Sequence, residues 1–218
     1  LSNEVIFGSS TGSIGVSGSY LAIGNASGLR FDDSLNRILP FNTETPTATN
    51  GTLDIGSSGG RFKDLYLAGG AYLGGTGSAN KLDDYEEGTW IGAISDAVSG
   101  GNESSTGVTG TYVKIGKIVY LQFNASNINT AGMTSGNDIH ITGLPFTAAS
   151  LGGTVKFTGT ANLSVVSFGY SPFINLSEGQ AHLKLGENRP GAGIDFVVIS
   201  ELSSGASDIH GNLVYQTT

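Results

Sequence analysis

Hydrophobic and polar positions alternate along the later part of the chain and break into glycine-punctuated fragments along the first. Beyond Trp90, the residues Val119, Leu121, Phe123 and Ala125 share one face of an extended segment, while Gln122 and Asn124 point the other way. Val155 and Phe157 flank Lys156, Ile139 and Ile141 flank His140, and Leu183 and Leu185 flank Lys184, which is the period of half-buried strands. Phe196-Val-Val-Ile199 is wholly apolar, and Leu213 and Tyr215 end the pattern. Gly116 and Lys117 separate the runs Tyr112 to Ile115 and Ile118 to Leu121, and predict a hairpin with a two-residue turn. The segments add up to about eight strands at hairpin spacing, which suits an antiparallel β-sandwich or jelly roll.

Residues 1–80 predict no helix. Gly8, Gly12, Gly15, Gly18, Gly24 and Gly28 recur every few positions, and each would cost a helix about 1 kcal/mol. The apolar fragments between glycines, Val5-Ile-Phe7, Tyr20-Leu-Ala-Ile23 and Arg37-Ile-Leu39, are too short to bury their own faces in a lone chain. Such a stretch is a disordered linker, part of a larger core, or a set of strands shared with identical chains. A weak internal repeat favours the last: Ile6-Phe-Gly-Ser-Ser10 resembles Asp54-Ile-Gly-Ser-Ser58, and Arg30-Phe-Asp-Asp33 resembles Arg61-Phe-Lys-Asp64. Pro40 and Pro46 flank a Thr-rich passage without periodicity, read as a turn-rich link. Charged residues concentrate between Ser78 and Gly88, which marks a boundary. The expected organisation is all-β: a glycine-rich β shaft over 1–80, an acidic neck over 81–88, and a sandwich head over 89–218.

Two blocks at that boundary, Ile55-Gly-Ser-Ser-Gly-Gly-Arg-Phe-Lys-Asp-Leu-Tyr-Leu67 and Lys81-Leu-Asp-Asp-Tyr-Glu-Glu-Gly-Thr-Trp90, resemble the shaft-to-head junction of tail fibre proteins of tailed bacteriophages, notably marine ones. Gly110-Thr-Tyr-Val-Lys-Ile-Gly-Lys-Ile-Val-Tyr120 and Ile141-Thr-Gly-Leu-Pro-Phe146 are similar to blocks further along the same proteins. The chain departs from that family after Trp90, where Ile91-Gly92 stands in place of a frequent Thr-Pro, a change that bears on the local turn. The resemblance implies a homotrimeric fibre, with an interlaced trimeric β shaft and a β-rich head that binds a receptor. It identifies no receptor.

Composition narrows the chemistry. Glycine supplies 35 of 218 residues, more than twice the usual share of about 7 %, without the three-residue period of collagen. With a hydrophobic share of 38 %, the chain reads as short strands and tight turns rather than disorder. A net charge of −8, with ten scattered Lys and Arg, argues against nucleic acid and against an anionic membrane surface. No apolar run approaches the roughly 18 to 20 residues that span a bilayer. The absence of cysteine removes disulfides, thiolate metal sites and cysteine nucleophiles. Leu1-Ser-Asn-Glu4 has no signal-peptide character, and a chain beginning without Met is expected to be part of a longer polypeptide.

Candidate chemistry is sparse. Gly-x-Ser-x-Gly occurs at Gly8 to Gly12 and Gly56 to Gly60, but neither match precedes a helical period as a nucleophile elbow requires. His140 and His182 alternate with apolar residues and read as outward strand positions, and His210 stands apart. Asp83, Asp84, Glu86 and Glu87 surround Tyr85 and are weak metal candidates. Tyr85 occupies the place of a third ligand in a Ca²⁺ loop and Ile94 that of its terminal Glu, so the cluster reads as a solvated neck. Asn-x-Ser/Thr occurs at Asn25, Asn50, Asn102, Asn124, Asn162 and Asn175, as this composition alone would produce. Sugar binding would use aromatic faces with Asn or Arg beside them. Phe168, Tyr170, Phe173 and Asn175, with the Glu187 to Gly191 loop carrying Arg189, are the candidates. The expected function is non-enzymatic attachment to a host-surface glycan or outer-membrane protein, by a homotrimer in the virion tail joined upstream to other tail proteins. No cofactor is implied. A receptor-free structural fibre and a polysaccharide depolymerase are the rival readings.

Overall fold

The computed structural model describes residues 5–6, 13–17 and 19–218. Phe7, Gly8, Gly12, Gly18, the first Gly-x-Ser-x-Gly match and most of the Ile6 to Ser10 repeat lie outside the described residues. The protein is all-β and divides into two compact units, Leu1–Tyr66 and Leu67–Thr218.

In the first unit, β1 (Val5–Ile6), β2 (Ser13–Ser17), β3 (Tyr20–Gly24), β4 (Gly28–Asp32), β5 (Arg37–Asn42) and β6 (Thr47–Ala48) form an antiparallel meander in chain order. The Thr-rich passage is the β5–β6 hairpin, whose turn is held by Asn42 Oδ1 accepting the N–H groups of Glu44 and Thr45. Register decides which side chains share a face. One face carries the cross-strand row Ile14, Ile23, Leu29, Pro40 and beside it the row Val16, Leu21, Phe31, Ile38. Apart from Pro40, these side chains are 37–60 % exposed. The other face seals itself: Arg30 lies over the rings of Tyr20 and Phe41, and Asp32 accepts from Ser34 and Arg37 at 2.7 and 3.1 Å. The Ser34 hydroxyl first, and Arg37 with it, hold the Asp32 carboxyl below its usual pKa. Residues 49–70 form no strand, and Ile55, Phe62, Leu65 and Tyr66 are 73–89 % exposed. The sequence repeat is therefore not a structural one: Arg30 to Asp32 lie in β4, whereas Arg61 to Asp64 lie in irregular chain.

The second unit opens with a small hairpin of β7 (Ala71–Tyr72) and β8 (Lys81–Leu82). It continues as β9 (Tyr85–Ser95), β10 (Glu103–Ile115), β11 (Ile118–Ile128), β12 (His140–Thr142), β13 (Lys156–Ser164), β14 (Pro172–Ser177), β15 (Leu183–Asn188), β16 (Ile194–Phe196) and β17 (Ser207–Gln216). The β10–β11 hairpin is as expected, with Ile115 opposite Ile118 and Gly116 at φ +56° in the turn. The expected sandwich is corrected. The sheet runs β12, β9, β10, β11, β17, β13, β14, β15, and β12 pairs β15 as well as β9, so eight strands close into an antiparallel barrel. Closure removes the free edges that two stacked sheets would keep. Phe196 to Ile199 is likewise not one strand, since β16 stops at Phe196 and a 3₁₀ turn begins at Ile199.

The inward faces of these strands fill the barrel. Val119, Leu121, Phe123, Ala125, Ile141, Ile174, Leu185 and Leu213 are buried, and Tyr215 donates to the Phe146 carbonyl at 2.9 Å. Ile91 and Gly92, where a turn was in question, lie mid-strand in β9. Among the described residues no helix is long and apolar enough to cross a membrane.

Candidate functional site

A groove of about 900 Å³ lies on the outer wall of β9, β10, β11, β17 and β13. Alternation builds it. Outward residues meet in two registered rows: Thr89, Thr111, Gln122, Asn212, Thr160, and Ile91, Thr109, Asn124, His210, Asn162. Between them runs the inward row Trp90, Gly110, Phe123, Gly211, Ala161. Glycine alternates with aromatic residues there because the rings need the space. A Cβ on Gly110 would sit 2.2 Å from Trp90 Nε1, and one on Gly211 2.5 Å from Phe123 Cζ. The wall thus presents amides and hydroxyls over a floor of bare backbone.

No Asp, Glu, Lys or Arg lines this groove among the described residues. Part of its polar rim is braced internally: Gln122 Nε2 donates to the Tyr120 hydroxyl at 2.6 Å, and Asn212 Nδ2 to Thr160 Oγ1 at 2.8 Å. A second groove of about 620 Å³ adjoins it, sharing Thr160 and Asn212 and adding Phe173 and Asn175 of β14 and Asn188 of β15. The first polar row continues into it, since Thr160 pairs with Phe173 and Phe173 with Gly186. The Phe173 ring covers Gly186, where a Cβ would lie 2.7 Å from Phe173 Cζ. Asn175 is 2 % exposed, and its buried Nδ2 has no hydrogen-bond partner.

Of the four binding candidates, the structure brings Phe173 and Asn175 into one groove. Arg189 lies in a further pocket with Pro190 and Ala192 that meets the second groove at Asn188 and Ile194, and its guanidinium is 3.7 Å from Asp195 Oδ2. Tyr170 is exposed in the loop before β14, where its N–H and that of Gly169 donate to Glu187 Oε2 at 3.1 Å each. Phe168 is also exposed. The groove residues of β9, β10, β13 and β17 were not among the binding candidates, and Asn162 and His210 stood out only as an Asn-x-Ser/Thr site and an isolated histidine. The available signal was outward positions of successive strands carrying Thr, Asn and Gln where Lys and Glu are usual.

The four acids around Tyr85 do not converge. Tyr85 to Glu87 begin β9, with Glu86 and Glu87 on opposite faces. Each carboxylate has its own partner: Asp83 pairs with Lys81 at 2.8 Å, Asp84 with the buried Lys114, Glu86 with the Tyr112 hydroxyl at 2.5 Å, and Glu87 with the Tyr85 hydroxyl at 2.7 Å. These bonds hold Asp83 below, and push the two phenols above, their ordinary pKa. Among the described residues no three His, Asp or Glu side chains stand together as a metal site. Gly56 to Gly60 is a turn closed by Ser57 N–H on the Gly60 carbonyl at 2.8 Å, with neither strand nor helix beside it.

His140 corrects its expected exposure. Although it faces away from the core, it is 7 % exposed, with the His182 ring at 5.2 Å and the Lys184–Asp138 ion pair beside it. Burial first, then Lys184, lowers the pKa of His140; burial, His140 and Lys184 lower that of His182. The unfolded chain therefore binds protons first as pH falls. The stability of the neutral pair is complete above the ordinary pKa of 6.5 and is lost as pH drops through the folded values. The melting temperature of the chain should hold above about pH 7 and decline as pH falls below the ordinary histidine pKa of 6.5. The double variant His140→Gln/His182→Gln should flatten that decline.

No family model, curated protein or solved structure matches the chain in comparison.

Proposed function

We propose that the chain is a segment of a homotrimeric phage tail fibre that attaches the virion to its host without chemical change to the receptor. The observation that carries this is the two-row apolar face of β2 to β5, which the described residues of its own unit leave uncovered. A contiguous apolar surface of several hundred Å² marks an interaction site. Residues 49–66 follow this sheet directly and leave their own Ile55, Phe62, Leu65 and Tyr66 bare. Sister chains supply faces of the same composition, and three around an axis cover them all. That arrangement is the interlaced trimeric shaft, and it agrees with the tail-fibre resemblance of Ile55 to Leu67 and Lys81 to Trp90.

The barrel is then the receptor-binding head, working outside the cell as part of the tail. Three weak heads engaged together bind with avidity. Among the described residues no carboxylate lines the groove, whereas glycoside cleavage uses two about 5 to 9 Å apart, and this supports binding over depolymerase activity. Upstream partners in the tail and a glycan or outer-membrane protein on the host complete the proposal.

Labelled chain should adsorb to bacterial cells of the host and compete with phage adsorption. Failure to adsorb would leave a structural fibre, and release of reducing ends from host polysaccharide would make it a depolymerase.

A further inference from the structure

We infer that the outer-wall groove is a track for an unbranched, neutral polysaccharide chain, lying across the strands from β9 towards Phe173. The ligand class rests on the attachment reading; the location and the neutrality of the ligand follow from the groove itself.

Three features carry the assignment. The first is charge. In a protein of net charge −8, the five-strand stretch of the groove has no Asp, Glu, Lys or Arg among the described residues and His210 as its one titratable side chain, which disfavours ionic ligands there. Lys156 enters the lining only in the adjoining groove, where its ammonium donates to the Ser177 hydroxyl. The second is donor and acceptor supply. Amides offer both donors and acceptors, and hydroxyls do too, as a sugar's hydroxyls require. Thr89, Thr109, Thr111 and Asn162 have no side-chain partner within the described residues and stand ready for a ligand. The third is geometry. Neighbouring strands lie about 4.8 Å apart and outward residues two apart lie roughly 6.7 Å apart, so five strands make a two-row ladder about 19 Å long. A linear chain fits that ladder and a compact small molecule does not.

The end of the ladder is built for a terminal or turning sugar. Phe173 gives an apolar ring face beside the last polar pair, and sugar rings pack their C–H faces on aromatic rings. Asn175, next outward position on the same strand, keeps a buried Nδ2 with no partner. A buried amide donor left unmatched costs about 1 to 3 kcal/mol. A small shift of the Asn175 side chain towards the adjoining groove, met by a sugar oxygen, removes that cost on binding.

The test is an array of unbranched neutral hexose tetra- to hexasaccharides, α- and β-linked, printed beside uronate-containing ones and probed with the full chain. Neutral glycans should retain the chain and uronates should not. The double variant Gln122→Ala/Asn124→Ala should weaken retention about tenfold or more, the loss of one to two hydrogen bonds. Thr109→Lys and Thr109→Asp should both weaken it to a similar degree, because each obstructs a neutral ligand. Melting curves and Trp90 emission of each variant should match the parent, which separates lost binding from lost folding. The assignment is overturned if no neutral glycan is retained, if uronates bind better, if Thr109→Lys strengthens binding while Thr109→Asp weakens it, or if groove substitutions change nothing. Cell adsorption that persists while these tests fail leaves attachment standing and removes the track. Groove-dependent glycan retention without cell adsorption does the reverse.

Discussion

Phe31→Asp should convert a species of three times 22.3 kDa into single chains in sedimentation. Phe31 stands inside the apolar face of the first unit, between Leu21 and Ile38 and next along β4 from Leu29. Covering what remains exposed of seven such side chains is worth roughly 1 kcal/mol each, on the order of 7 kcal/mol per chain before the costs of association. An aspartate removes one contribution and places a carboxylate where sister faces meet, at a cost of several kcal/mol more. Phe31→Leu keeps the face apolar and should leave the threefold species intact. A parent chain that sediments at 22.3 kDa refutes the shared shaft. A species of two chains would replace it with paired sheets. The barrel's far-ultraviolet signal should survive Phe31→Asp, since Phe31 belongs to the other compact unit.

Gly110→Ala should be among the most damaging single-methyl changes in the barrel wall, with Gly159→Ala beside it. The new Cβ would lie 2.2 Å from the Gln122 carbonyl oxygen and 2.2 Å from Trp90 Nε1. The carbonyl belongs to the paired strand and has no room to move, and Trp90 donates to that same oxygen at 3.3 Å. Relief requires β10 and β11 to part or the indole to leave its site. The expected cost is about 3 kcal/mol, the upper end of overpacking, or a melting temperature lower by roughly 6 to 12 °C for a unit of this size. Trp90 is the chain's one tryptophan, so its emission should shift red as the ring loses its buried position. Gly107→Ala, three residues earlier on the same strand, meets nothing closer than 3.9 Å and should be neutral or mildly stabilising.

Periodicity carried most of the barrel. Val119 to Ala125, Ile139 with Ile141, and Leu183 with Leu185 alternate strictly, and all are buried. What periodicity could not carry was closure. Eight hairpin-spaced strands read alike whether they stack as two sheets or join as one ring. The decision rests on β12, three residues long, whose pairing with β15 lies 42 or more residues away in sequence. In the first unit, β2 and β4 carry only two apolar side chains each, Ile14 and Val16 about Gly15 and Leu29 and Phe31 about Arg30, too few to stand out until register with β3 aligns them.

The candidate site was half legible. Phe173 and Asn175 stood out because aromatic and amide residues adjoin in sequence. Gln122, Asn162 and Asn212 belong to strands far apart in the chain, and only cross-strand register puts them side by side. Arg189 borders the groove of Phe173 and Asn175 through Asn188 and Ile194, whereas Tyr170 stands in the loop before β14 and is not part of that lining.

The three-residue stave β12 also bears on how the barrel moves. The ring is joined there by two registered pairs, His140 with Lys184 and Ile141 with Leu183, against seven between β10 and β11. Local opening follows the least secured join. That join lies across the ring from β11 and β17, so the domain can breathe on its reverse side while the wall bearing the groove remains stiff. Acidification, by charging the imidazole of His140 at that seam, would loosen the hinge rather than the wall that bears the groove.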